Sequence, residues 1–209
     1  MKFTDFTANT DIFTTKTLGG ISSQFKLVPE LRLKFSDVDI KKRNPKSAAV
    51  LALFFPDEFG ETNFLLTQRA NYKGTHSAQI SFPGGKKDEI DIDLNTTALR
   101  EAEEEVGIIK NEIITLRKLT ETYIPPSNFM VTPFLAYTNQ TPVFKPNYEV
   151  AELIIVKLSD LLNQNNISSI KIDTSYMKNM EVPCFKLNNY IVWGATAMIL
   201  SEIKDLLKS

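Results

Sequence analysis

Residues 48–55 form an unbroken apolar run of eight, Ala-Ala-Val-Leu-Ala-Leu-Phe-Phe, closed by Pro56. A run of that length predicts a strand buried on both faces. After a turn through Pro56 and Gly60, residues 63–69 predict its hairpin partner. Residues 70–93 show little periodicity and contain Pro83-Gly84-Gly85, so they read as one long loop, a length usually reserved for function. Helical spacing resumes at 96–106, where Leu99, Ala102 and Val106 share one side, with Asn95 as the expected N-cap and Gly107 just past the end. Strands follow at 113–123, 130–138 and 149–157, then a short helix at 158–162. Residues 182–193 predict a hairpin turning at Asn188-Asn189, and the chain closes on a helix over 195–207 carrying Ala195, Met198, Ile199, Ile203 and Leu206.

Strands and helices alternate without a regular βαβ rhythm. The expectation is an α/β (α+β) fold, a mixed sheet sandwiched between helices. Residues 1–46 predict an N-terminal extension with one or two short helices between 22 and 35, joined by a basic connector through Lys41, Arg43 and Pro45 to a domain over 47–209.

The 209 residues suit one domain with a full core, and 43% hydrophobic with 23% charged residues is an ordinary globular balance. A net charge of −1 with no Lys/Arg block argues against nucleic-acid and membrane-surface partners. A single cysteine, Cys184, forms no internal disulfide and reads as a packed core thiol. No stretch approaches the length of a membrane span, and the first residues lack a signal-peptide core, so the cytoplasm is the expected location. One histidine and one cysteine cannot build a zinc site.

The chemistry concentrates at Glu101, Glu104 and Glu105, in the last turns of the helix that Gly107 ends. The helix dipole disfavours carboxylates there, and the i,i+4 pair Glu101/Glu105 adds like-charge repulsion of roughly 0.2–0.5 kcal/mol. Acidic residues placed against both effects point to a hard divalent cation. The bland alternative is a solvated acidic helix face.

Residues 84–108 resemble the Nudix box, Gly-x5-Glu-x7-Arg-Glu-U-x-Glu-Glu-x-Gly-U, where U is a bulky aliphatic residue. Arg100, Glu101, Glu104, Glu105, Gly107 and Ile108 match, Ala102 stands at the first U, Asp91 replaces the first Glu, and one extra residue precedes Arg100. The resemblance implies a Nudix hydrolase using Mg²⁺ or Mn²⁺, with Glu101 and Glu105 binding metal, Glu104 assisting and Arg100 bracing a carboxylate. Upstream, Leu65, Leu66, Thr67, Arg69, Ala70, Ile80, Phe82, Pro83, Gly84 and Gly85 resemble the segment marking the coenzyme A pyrophosphatase branch, and Trp193-Gly-Ala-Thr196 is similar to that branch as well. Gly74 and Ala78 depart from it, which shifts a substrate-side charge to Lys73 or Lys86.

That resemblance implies hydrolysis of coenzyme A to 3′,5′-ADP and 4′-phosphopantetheine by a monomer or homodimer. Arg69, Lys73, Gly84 and Gly85 are then the expected substrate contacts. The general base is expected outside the box, among Glu121, Glu149 and Glu152, with Glu149 preferred and Glu104 as its substitute. His76 reads as a solvated loop residue and Trp193 as core. Two other readings stand beside this one. The first is a Nudix pyrophosphatase acting on ADP-ribose, NADH or another nucleoside diphosphate derivative. The second is a non-catalytic nucleotide-binding domain, whose usual mark, loss of box carboxylates, is absent.

Overall fold

The computed structural model describes residues 1–70, 79–173 and 179–208. Short helices open the chain: α1 (Phe3–Ala8), α2 (Thr10–Thr15), α3 (Gly20–Gln24), α4 (Glu30–Leu33) and α5 (Asp37–Lys42). They are more numerous than the hydrophobic spacing predicts, and none is long enough to show a period. The apolar run becomes β1 (Lys46–Pro56), followed by β2 (Thr62–Arg69), β3 (Ile80–Ser81), β4 (Gly84–Lys86) and α6 (Leu94–Val106). The remaining elements are β5 (Ile114–Lys118), β6 (Thr122–Ile124), β7 (Phe129–Tyr137), β8 (Val150–Lys157), α7 (Leu158–Leu162), β9 (Ile167–Ile172), β10 (Met180–Leu187), β11 (Tyr190–Trp193) and α8 (Gly194–Leu207).

β1 runs parallel to β7 along Lys46 to Phe54, and its other edge pairs antiparallel with β4 and then β2. β8 and β3 extend the sheet from β2, and β5 and β6 extend it from β7. A second sheet joins β9, β10 and β11, the last two through an Asn188-Asn189 turn in which both residues have positive φ. The mixed sheet is buried on both faces. Ala49, Leu51, Leu53 and Phe55 of β1 pack with Ala98, Ala102 and Val106 of α6. Ala52 and Phe54 point the other way and pack with Phe64, Leu66, Leu200 and Ile203. Strand periodicity alone assigns those alternate residues to two cores.

Residues 1–46 are part of this second core, where Phe3, Phe6, Phe13 and Leu27 are buried beside Phe54 and Leu200. Polar ties reinforce the packing. Glu202 of α8, with no exposed surface, accepts hydrogen bonds from the backbone N–H groups of Gly20 and Thr120 and from the Gln24 and Thr120 side chains. This turn of the chain at Thr120 also divides the predicted strand over 113–123 into β5 and β6. Likewise the 70–93 loop contains β3 and β4, strands too short to register as a period.

Asp93, not Asn95, caps α6. Its backbone is extended, and its carboxylate accepts from Thr96 N at 2.7 Å and from Thr96 Oγ1 at 2.9 Å. Asn95 lies inside the first turn and accepts from Thr115 instead. Asp93→Ala is expected to cost about 1 kcal/mol in urea unfolding, the usual worth of a cap. At the other end Gly107 has φ 71°, as the sequence predicts.

Candidate functional site

A cleft of about 520 Å³ opens where β3, β4, α6, β6, the start of α8 and the segment through α4 meet. It is large enough for a nucleotide-sized ligand. Helix geometry puts Glu101 and Glu105 one turn apart on the same side of α6, and both carboxylates line the cleft. Glu105 is nearly buried, and its Oε2 accepts the Gly84 N–H at 2.9 Å. Burial pushes its carboxyl up to about 7, against the opposing pull of the Gly84 bond and the Arg69 charge. Burial raises Glu101 as well, although the Arg100 guanidinium beside it works in the other direction.

β4 is shaped for these carboxylates. Gly84 has φ 149°, and a Cβ there would fall 2.3 Å from the Ala49 carbonyl oxygen. A Cβ on Gly85 would lie 2.4 Å from the Glu101 carboxylate. Both positions therefore require glycine, the first for backbone conformation and close approach, the second to leave room for Glu101.

Arg100 fixes the helix to the preceding loop. Its Nε and Nη2 pair with the two oxygens of Asp91 at 2.9 Å each, and its Nη1 contacts Glu101 at 2.9 Å and Glu104 at 3.2 Å. Asp91 also accepts from Thr97 Oγ1 and from the Asp88 N–H. The Arg100 bonds hold the Asp91 carboxyl well below the usual range and the guanidinium well above its own. Bidentate, mostly buried pairing of this kind sets orientation as well as charge. Asp91 is the site residue whose role the sequence alone leaves unstated. Its place in the box is visible, but its pairing with Arg100 across nine positions is not.

Glu104 projects from the exposed side of Arg100, with a side chain 56% exposed, and is not a wall of the cleft. Glu149 and Arg69 do line it, and they face each other with Arg69 Nη2 at 3.4 Å from Glu149 Oε2. Glu121 bonds Lys118 and Thr132, and Glu152 bonds Tyr190, both away from the cleft walls. Trp193, expected in the core, is partly exposed and lines the cleft beside Gly194 and Ala195. Thr196 holds that corner by donating to the Ile80 carbonyl at 2.8 Å. Cys184 is buried, in keeping with a packed thiol. Lys73, His76, Gly74 and Ala78 lie outside the described residues.

Among the described residues, no three His, Cys, Asp or Glu side chains are gathered closely enough to hold an ion by themselves. Glu101 and Glu105 supply two carboxylates, and Mg²⁺ is satisfied by one or two of these with waters and substrate phosphate oxygens. The room left for the Glu101 carboxylate by Gly85, and the nearly buried acid at Glu105, fit such a cation.

The pattern of the NUDIX domain matches residues 45–174. Nudix hydrolase 22, chloroplastic, of Arabidopsis thaliana is 32% identical over 163 residues, which cover 75% of this chain and 53% of that protein. The chain thus spans about half the length of that relative. The uncharacterized Nudix hydrolase NudL of Yersinia pestis (strain Pestoides F) is 35% identical over 144 residues, 68% of this chain and 71% of the relative. The crystal structure of a MutT/nudix family protein from Enterococcus faecalis superposes with a TM-score of 0.53 over 84% of this chain and 71% of that one, at 14% identity, a likeness of fold. With the matched pattern covering most of the chain, and Glu101 and Glu105 of the box lining the cleft, the chain belongs to the Nudix family.

Proposed function

We propose that the chain is a Nudix hydrolase that cleaves the diphosphate of a nucleoside diphosphate derivative with a divalent cation, and that coenzyme A is its preferred substrate. Water adds to one phosphorus, the bridging P–O bond breaks, and 3′,5′-ADP and 4′-phosphopantetheine leave. The observation that carries this reading is the placement of Glu101 and Glu105, one turn apart, on the wall of a nucleotide-sized cleft that Arg69 and Glu149 also line.

Nudix hydrolases generally need Mg²⁺ or Mn²⁺. Glu101 and Glu105 would hold the cation, which when bound neutralises diphosphate charge and acidifies the attacking water. Arg100 positions Glu101, and Asp91 positions Arg100. Arg69 offers a guanidinium fork to a phosphate oxygen. Glu149, in the cleft, is the group assigned to take the proton from the attacking water. Its bond to Arg69 is long and half-exposed, so a phosphate can replace the carboxylate as the arginine's partner. Glu104 shares Arg100 with Glu101 and acts through that residue.

Support for coenzyme A comes from the branch motif, of which Arg69, Phe82, Gly84 and Gly85, together with Trp193 and Thr196, line the cleft. Leu65 and Leu66 of the same motif are core residues and bear on stability only. The test is a panel of coenzyme A, ADP-ribose and NADH with Mg²⁺ or Mn²⁺, read by product mass. Dominant release of 3′,5′-ADP from coenzyme A supports the full reading. Preference for ADP-ribose or NADH overturns the choice of substrate, and no metal-dependent turnover of any overturns the hydrolase. A companion variant, Gly85→Ala, is expected to lower kcat about 10²-fold, because its methyl group displaces the Glu101 carboxylate. Wild-type kcat would show that Glu101 does not need that position.

A further inference from the structure

We infer that Arg32 binds a second anionic group of the substrate, a phosphate monoester carried on the nucleoside and distinct from the diphosphate cleaved beside α6. The inference rests on the hydrolase reading above. Arg32 itself precedes residue 45, where the matched NUDIX pattern begins.

Arg32 of α4 is buried, with 8% exposure, and lines the cleft. Its guanidinium lies over two rings, 5.4 Å from the centroid of Phe25 and 5.8 Å from that of Tyr123. One nitrogen, Nη1, donates to the Phe35 carbonyl at 2.9 Å. Nε is buried without a partner, and Nη2 bonds no described residue. No carboxylate among the described residues stands within ion-pair distance, and the charge of Asp37 acts on it only from further away. A buried cation with free donors and no counter-ion is costly unless an anion completes it.

The other arginines show the difference. Arg69 has Glu149 and Arg100 has Asp91. Arg117 also has a partnerless Nε, but its Nη1 serves the Phe13 and Lys16 carbonyls and the residue does not line the cleft. Arg32 alone among these combines an unfilled fork, burial and a place on the cleft wall.

Its position also separates it from the reacting diphosphate. Lys86 of β4 pairs with Ala48, Ala48 with Val131, and Val131 with Thr122 of β6. Tyr123, on which Arg32 rests, is therefore three strand spacings from the glycines under Glu101 and Glu105, roughly 14 Å. One diphosphate does not reach both ends. A dianionic monoester suits the fork, because charge-assisted bonds to phosphate are among the strongest available to arginine.

The test compares adenosine 3′,5′-bisphosphate with 5′-AMP as calorimetric probes on the full chain. Wild type is expected to bind the bisphosphate about 30-fold more tightly. Arg32→Met is expected to bring the two within about threefold, and Arg32→Lys, which keeps the charge but loses the fork, to leave an intermediate preference of about tenfold. No preference in wild type, or an unchanged preference in either variant, overturns the assignment. Melting curves accompany each variant, and if the Met form does not fold, wild type and the Lys form decide. Failure of turnover of all three panel substrates with the binding preference intact removes the hydrolase reading and leaves Arg32 standing. Turnover without the preference does the reverse.

Discussion

Glu101→Gln and Glu105→Gln are each expected to lower kcat at least about 10³-fold at saturating Mg²⁺ or Mn²⁺, with the fold retained. The size follows from losing a ligand charge that supplies several kcal/mol to the transition state. Retention of the fold follows from shape. In Glu105→Gln the new amide oxygen can still accept the Gly84 N–H, which in the wild type reaches Glu105 Oε2 at 2.9 Å, and an amide carries no charge into a nearly buried position. Glu104→Gln is expected to cost less than about tenfold, since that side chain is exposed and touches the site through Arg100. Steady-state rates and melting temperatures of the three variants check this together. Rates within a few-fold of wild type for both Glu101→Gln and Glu105→Gln would remove the cation from α6 altogether.

How far the sequence reveals this site depends on whether a feature is local. The helical spacing of Glu101 and Glu105, the αL cap at Gly107 and the both-faced burial of β1 follow from spacings of four, one and two residues, and the backbone takes the form the chain alone predicts at each. The Asn188-Asn189 turn belongs with them, since asparagine tolerates the positive φ both residues adopt. The α6 cap is also local, yet Asp93 and Asn95 are both good capping residues, and only the extended backbone at Asp93 decides between them. Short strands such as β3 and β4 exist because β2 and β1 offer edges to pair with, a tertiary cause with no period of its own. Residues 1–46 give the largest difference. Their phenylalanines are scattered through Thr- and Asp-rich sequence, and nothing local shows that Phe3, Phe6 and Phe13 pack beside Phe54. The place of Arg32 on the cleft wall rests on contact with the distant Tyr123 and is equally out of reach of the sequence.

The unfolding free energy of the metal-free protein is expected to fall with rising pH because of Glu105, and Glu105→Gln to remove that dependence. Burial raises this carboxyl from 4.5 to about 7 in the folded chain. A raised folded value means that the folded state holds the proton more tightly than the unfolded state does. The stabilisation is therefore complete below 4.5 and is lost as pH climbs to about 7, above which both states are ionised. A shift of that size corresponds to about 3 kcal/mol, on the scale of 1.36 kcal/mol per unit. Urea unfolding in EDTA should show the gap between Glu105→Gln and wild type widening in favour of the variant by about 3 kcal/mol between pH 4.5 and pH 8.5. Saturating Mg²⁺ should close much of it, because a cation that binds only the folded, ionised form stabilises wild type and not the amide. A gap that stays constant across the range would mean that Glu105 ionises in the folded chain as readily as in water. Its burial would then carry no electrostatic strain for a cation to relieve.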